Sequence, residues 1–203
     1  MIAIVDYGVG NLFSLTASLT AVGATAVVSG DERELARADK LILPGVGAFG
    51  DAIDKLVSSG LVPTIKREAQ RKPLLGICLG MQLLFERSCE YGSHDGLALL
   101  EGEIAPLRGD LADSSLKVPH IGWNSLEALR GDELLSGFKS GEYVYYVHSY
   151  YAKNCERDTL AVSRYGGAAI PGLVRRGTVW GAQFHPEKSG AAGLGILKAF
   201  AEL

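Results

Sequence analysis

Pro73-Leu-Leu-Gly-Ile-Cys-Leu-Gly-Met-Gln82 starts as a buried-strand pattern, turns through Gly76-Ile-Cys-Leu-Gly80 and restarts as a helix. A Gly-x-Cys-x-Gly turn between strand and helix has the geometry of a nucleophile elbow. The turn is sharp enough to present its central side chain at the carboxyl edge of a sheet, and a Cβ two positions to either side would collide with neighbouring elements. Cys78 is therefore presented for attack. The helix starting near Leu79 directs its first amides and its positive dipole end at the sulfur, which favours the nucleophilic thiolate. The flanking glycines set this cysteine apart from a buried core cysteine, the commoner fate of the residue type.

The segments before the elbow alternate between strand and helix patterns. Ile2 to Val5 reads as a buried strand, and Asn11 then caps a helix with Leu12, Leu15, Leu19 and Val22 on one face, stopped by Gly23. Strands follow at Thr25 to Val28 and Leu41 to Leu43, the latter ending in Pro44-Gly-Val-Gly47. Ile53, Leu56 and Val57 predict a helix, and another lies around Thr64 to Ala69, before the strand Leu74 to Ile77 delivers the elbow. This alternation implies parallel βαβ units, so the expected fold is α/β, an open and mostly parallel central sheet flanked by helices. After the elbow the pattern changes. Strand-like runs at Glu142 to Val147, Thr159 to Arg164, Ala168 to Val174 and Thr178 to Phe184 predict an antiparallel extension, and Leu194, Leu197 and Phe200 mark a closing helix. Arg87 to Asp95 and Arg108 to Lys117 read as surface loops.

The 203 residues, 47% hydrophobic and 21% charged, suit a single domain spanning residues 1–203. A net charge of −3 gives no electrostatic footprint for nucleic acid, and no apolar run approaches the ~20 residues needed to span a bilayer. The Met1-Ile-Ala-Ile-Val-Asp6 start lacks the basic residues and long apolar stretch of a signal peptide, so the expected location is cytoplasmic. Cys78, Cys89 and Cys155 are odd in number and lack metal-type spacing, as expected of reduced thiols.

Thr178-Val-Trp-Gly-Ala-Gln-Phe-His-Pro-Glu187 supplies partners for the thiol. Pro186 confines His185 to extended geometry, and residues two apart in an extended chain point the same way, so imidazole and carboxylate emerge together. Cys78, His185 and Glu187 then form a nucleophile, a base and the acid that orients the base. Acyl transfer also needs donors for an oxyanion. The Leu79 amide follows the nucleophile, and the glycines of Pro44-Gly-Val-Gly47 allow Val46 or Gly47 to turn an N–H inward. No metal or organic cofactor is called for, since each charge that develops has a protein group to meet it. His94 and His120 read as non-catalytic.

Pro44-Gly-Val-Gly47, Gly76-Ile-Cys-Leu-Gly-Met-Gln82 and Phe184-His-Pro-Glu187, in that order, resemble the class I (triad) glutamine amidotransferases over nearly the whole chain. Five further stretches, Asp6-Tyr-Gly-Val-Gly-Asn-Leu12, Pro44 to Gly50, Pro119-His-Ile-Gly-Trp-Asn124, Tyr146-Val-His-Ser-Tyr150 and His185-Pro-Glu-Lys-Ser-Gly190, resemble the subgroup serving imidazole glycerol phosphate synthase in histidine biosynthesis. The resemblance implies hydrolysis of L-glutamine to glutamate and ammonia. It also implies a heterodimer partner, a (β/α)8-barrel cyclase that uses the ammonia to form imidazole glycerol phosphate and a purine precursor. It assigns nucleophile, base and orienting acid to Cys78, His185 and Glu187. The implied substrate pocket is Gly45, Val46, Gly47, Leu79, Gln82, His148, Ser149 and Tyr150, and the implied docking face Asn11, Trp123, Tyr143, Tyr145 and Lys188. Another amidotransferase of the class would share Cys78, His185 and Glu187 but not the subgroup stretches, and a cysteine hydrolase on the same fold is the alternative from a different chemical class.

Overall fold

A computed structural model describes residues 1–113 and 115–203. Among these residues the strands are β1 (Ile2–Val5), β2 (Ala26–Ser29), β3 (Lys40–Leu43), β4 (Leu74–Ile77), β5 (Arg87–Ser88), β6 (His94–Asp95), β7 (Glu103–Pro106), β8 (His120–Ser125), β9 (Glu127–Ala128), β10 (Tyr143–His148), β11 (Tyr150–Lys153), β12 (Thr159–Tyr165), β13 (Ala168–Arg176) and β14 (Val179–Ala182). The helices are α1 (Leu12–Ala21), α2 (Glu32–Arg37), α3 (Phe49–Ser58), α4 (Val62–Ala69), α5 (Leu79–Leu83) and α6 (Gly190–Glu202). None is long and apolar enough to cross a membrane.

The main sheet runs β2-β1-β3-β4-β14-β13-β12-β9. Its first five strands are parallel, and β13, β12 and β9 add the expected antiparallel extension. Side chains alternate across the sheet as the strand period requires. Ala3, Val5, Leu41 and Leu43 enter a core with Leu35, Phe49, Leu56 and Ile65 from α2, α3 and α4. Ile2, Ile4, Ile42 and Leu75 enter a second core with Leu15 and Leu19 of α1 and Leu197 and Phe200 of α6. Burial on both faces explains why β1, β3 and β4 carry near-continuous apolar runs. Asn11 caps α1 by accepting from the Ser14 N–H. Val57, one of the three residues that predict α3, is 60% exposed, and the packed face is filled by Phe49, Ala52, Ile53 and Leu56.

The register decides where the functional loops lie. Leu43 of β3 pairs with Gly76 of β4, and Ala182 of β14 pairs with Ile77. Three neighbouring parallel strands thus end at one level, and the Pro44, Cys78 and His185 segments leave the same carboxyl edge of the sheet, where open α/β folds place their ligands.

Two small sheets cover this edge. One is the β10-β8 ribbon and the other runs β11-β7-β5-β6. The second corrects the reading of Arg87 to Asp95 as a plain surface loop. β5 pairs parallel with β7 and antiparallel with β6, and this pairing holds Ser88 and Glu90 in the interior. Of the loop expected over 108–117, Leu107–Asp110 forms a 3-10 turn, and Ser114 lies outside the described residues.

Candidate active site

Cys78 occupies a backbone conformation, φ 53° and ψ −113°, that L-residues rarely adopt and that persists where the surroundings fix it. Its N–H donates to the Ala182 carbonyl at 2.7 Å and its carbonyl accepts from Gln82 N–H at 3.1 Å, so both sides of the peptide are held. The elbow glycines are needed for space: a Cβ on Gly80 would lie 1.9 Å from the Leu43 carbonyl oxygen, and one on Gly76 2.7 Å from the Gly80 carbonyl oxygen. Gly45 is equally constrained, since a Cβ there would sit 2.6 Å from Gly80 N. The Pro44-Gly47 turn therefore lies against the start of α5, as the oxyanion reading requires. That helix is only five residues long, so what faces the sulfur is the first-turn amides rather than an extended dipole.

His185 lies across the sheet edge from the thiol. Its N–H donates to the Tyr145 carbonyl at 2.9 Å, and its carbonyl accepts from Ser189 Oγ at 2.6 Å. His185 keeps the extended backbone expected before proline, but Pro186–Lys188 turns into a short 3-10 helix rather than continuing extended. The side chains still meet. His185 Nδ1 lies 2.8 Å from Glu187 Oε1, with both side chains 4% exposed. The carboxylate accepts, so Nδ1 carries the proton and Nε2 is left to face the sulfur. Burial pushes the imidazole down, but hydrogen bonding and charge from Cys78 and Glu187 outweigh it and raise its pKa to about 10. The thiol itself leans on the Val147 carbonyl, with Sγ 3.9 Å from the oxygen, and Nε2 has no aligned hydrogen bond. Loose catalytic contacts of this kind are common before substrate binds.

Both groups open into a cleft of about 270 Å³ lined by Val46, Gly47, Cys78, Leu79, Gln82, Glu90, Pro119, Val147, His148, Ser149, Tyr150 and His185. Seven of the eight expected substrate residues form its wall, and Gly45 lies behind them, packed on Gly80. Gln82 Nε2 donates to the Tyr150 carbonyl and to Gln183 Oε1, each at 3.0 Å. Buried Tyr7 donates to the Pro44 carbonyl at 2.7 Å and so fixes the entry to the glycine turn.

A strained cysteine, the histidine of a buried His–Glu pair and a glycine turn stand over one cleft, and comparison with known proteins gives the family. A family profile described as "Glutamine amidotransferase class-I" matches residues 3–202. The chain belongs to the class-I glutamine amidotransferases. It is 50% identical over 202 residues to "Imidazole glycerol phosphate synthase subunit HisH" of Bacillus licheniformis, covering 98% of this chain and 95% of that one. The protein of the same name from Caldanaerobacter subterraneus subsp. tengcongensis is 48% identical over 206 residues, covering 100% and 98%. Among solved structures, one described as a glutamine amidotransferase superposes with TM-score 0.75 at 18% identity, covering 100% of both chains. PurLQS from Thermotoga maritima gives 0.74 at 18%, covering 99% and 97%. At such identities these two speak for the fold alone.

The amidotransferase carries an aromatic face on the outside of the β10-β8 ribbon. Trp123 and Tyr145 are direct cross-strand partners with ring centroids 6.0 Å apart, and Lys188 Nζ lies 5.9 Å from the Tyr145 ring. Trp123 and Tyr143 are 54% and 60% exposed. Asn11 caps the start of α1, the helix that packs on the 186–188 turn carrying Lys188. Sequence reasoning missed Glu90, Pro119 and Val147. Glu90 lines the cleft while its Oε2 accepts from the Phe49 N–H at 2.7 Å, capping α3 in place of Ala48, which makes no side-chain cap. A lone glutamate in an apparent loop carries no signature, and only the β5-β7 pairing brings it inward.

Proposed function

We propose that this chain is the glutaminase subunit of an imidazole glycerol phosphate synthase, acting in histidine biosynthesis through a Cys78-His185-Glu187 triad. The observation that carries the chemistry is the 2.8 Å His185–Glu187 contact, which leaves Nε2 facing a nucleophile in a shared cleft. The near-full-length identity to the HisH subunits supports the pathway.

The Cys78 proton passes to His185, which the raised imidazole pKa favours, and the resulting thiolate beside the imidazolium attacks the side-chain carboxamide of glutamine. The oxyanion rests on main-chain donors of Leu79 and the Val46-Gly47 turn. As the tetrahedral carbon collapses, the C–N bond breaks and His185 returns the proton to the departing ammonia. Water activated by the same imidazole then cleaves the γ-glutamyl thioester to glutamate and free thiol. Glu90 offers the cleft a negative charge suited to the α-ammonium of an amino-acid substrate. Ammonia passes to a (β/α)8 cyclase docked on the Trp123, Tyr143, Tyr145 and Lys188 face, an aromatic and cationic mixture typical of interface cores. Docking switches the site on by reorienting the Gly45-Val46 region. Losing one oxyanion donor typically costs ~3 kcal/mol, a factor of 10² or more in rate, so a single amide suffices as the switch.

The test is glutamine hydrolysis by the chain alone and with the cyclase and its nucleotide ligand, together with imidazole glycerol phosphate formation. Hydrolysis that rises by about 10² on docking, with product formed from glutamine, is expected. Equal rates would remove the switch. No glutamine hydrolysis by the complex, with turnover of peptides or aryl esters instead, would overturn the assignment.

A further inference from the structure

Two buried histidines outside the triad close the floor of the β8-β10 ribbon. His120 and His148 are 4% and 5% exposed, and His120 Nδ1 lies 3.0 Å from His148 Nε2. His148 Nδ1 lies 2.9 Å from the Tyr150 carbonyl, the same oxygen that accepts from Gln82 Nε2. At the far end Asn124 Nδ2 is 3.4 Å from His120 Nε2 and donates to the Arg164 carbonyl at 3.0 Å.

A carbonyl only accepts, so the proton of neutral His148 sits on Nδ1 and its Nε2 is a lone pair. His120 must then donate from Nδ1, which leaves its own Nε2 to accept from Asn124. This is the one order of protons that satisfies every contact with both rings neutral. Burial favours that state, pushing His120 down to about 4 and His148 down to about 3. Stacking on Tyr165, centroids 4.1 Å apart, and on Tyr146, 4.9 Å apart, holds the plane of the His120 ring. Both nitrogens of His148 are therefore engaged within the protein, so this residue serves the cleft through the position of its ring and main chain.

We propose that His120, which does not line the cleft, is a positioning residue for it. Through the ordered chain Asn124–His120–His148–Tyr150 it fixes the 148–150 wall against which glutamine binds. This rests on the glutaminase reading above. The role is separable from packing by two substitutions. His120→Phe keeps a ring between Tyr146 and Tyr165 but has no donor for His148, whereas His120→Asn keeps a donor near the Nδ1 position and loses the stack.

Two measurements decide it. In the first, ¹⁵N-imidazole NMR of the wild-type chain at pH 7 reads the protonation state of each ring and the nitrogen–nitrogen coupling across the hydrogen bond. The expected result is two neutral, Nδ1-protonated rings with measurable coupling, and a charged or Nε2-protonated His148 overturns the proposal. In the second, glutamine kinetics of the cyclase complex should show KM raised about tenfold in His120→Phe with kcat within about twofold, and His120→Asn closer to wild type. An unchanged KM in folded His120→Phe, or equal impairment in both variants, overturns it. Should His120→Phe fail to fold, a KM in His120→Asn raised as far as tenfold has the same consequence. If the wild-type complex does not hydrolyse glutamine, the glutaminase reading fails first; if it does and only the variants disagree, this proposal alone fails.

Discussion

Cys78 and His185 define each other's chemistry. The sulfur is held out by a backbone conformation that glycines on either side make possible, and the imidazole is held by Glu187 and by main-chain bonds to Tyr145 and Ser189. The His120–His148 pair is the electrostatic opposite, since burial lowers both rings from the ordinary 6.5 instead of a partner raising them. The groups facing it are Tyr146 of β10, Tyr165 of β12, Asn124 of β8 and the Tyr150 carbonyl; none is a carboxylate that could favour the charged form. The sign of the stability effect follows. Above pH 6.5 folded and unfolded chains are both neutral at these residues and stability does not depend on them; as pH falls toward 4 the unfolded chain gains protons that the folded one refuses, so stability drops. Urea titrations between pH 7 and 4 should therefore show a shallower acid loss in His120→Phe than in wild type, by up to one proton's worth of slope, because the carboxylates common to both cancel. Parallel curves would contradict the neutral pair.

At the scale of elements, the site is the meeting of three loops from β3, β4 and β14, and close backbone contact keeps them together. Gly80 brings α5 against the end of β3, where a methyl group would sit 1.9 Å from the Leu43 carbonyl oxygen, an atom that cannot swing aside. Gly80→Ala should destabilise the fold by about 2–4 kcal/mol in chemical denaturation and lower glutaminase activity with it; a variant as stable as wild type would mean that the contact is slack. The central strands, the elbow and the His185-Glu187 segment were legible because each depends on neighbours in sequence: an apolar run, a glycine pair, a proline. α2 was legible in principle, since Asp31 caps it by accepting from both Arg33 and Glu34 N–H groups, but its short apolar face, with Leu35 alone buried, hid it. β5, β6 and β9 were not legible. Two residues have no periodicity, and only distant partners, such as Glu103 and Ile104 for Arg87 and Ser88, make them strands. Glu90 was missed for the same reason, its burial being a consequence of that pairing.

Across the whole molecule, one strand joins the outside to the chemistry. β10 turns Tyr143 and Tyr145 outward beside Trp123, while its main chain holds His185 N–H through the Tyr145 carbonyl, receives the Cys78 thiol at the Val147 carbonyl and places His148 in the cleft wall. A cyclase seated on the aromatic face would therefore press on the strand that anchors both the nucleophile's contact and its base. Everything functional in this account depends on Cys78 carrying the acyl group, and the direct test is to quench the cyclase complex in acid during glutamine turnover and map the thioester by mass spectrometry. The account predicts a γ-glutamyl adduct on Cys78, absent from Cys89 and Cys155 and lost in His185→Ala. Sustained release of glutamate by Cys78→Ala, or an adduct on another residue, would contradict it.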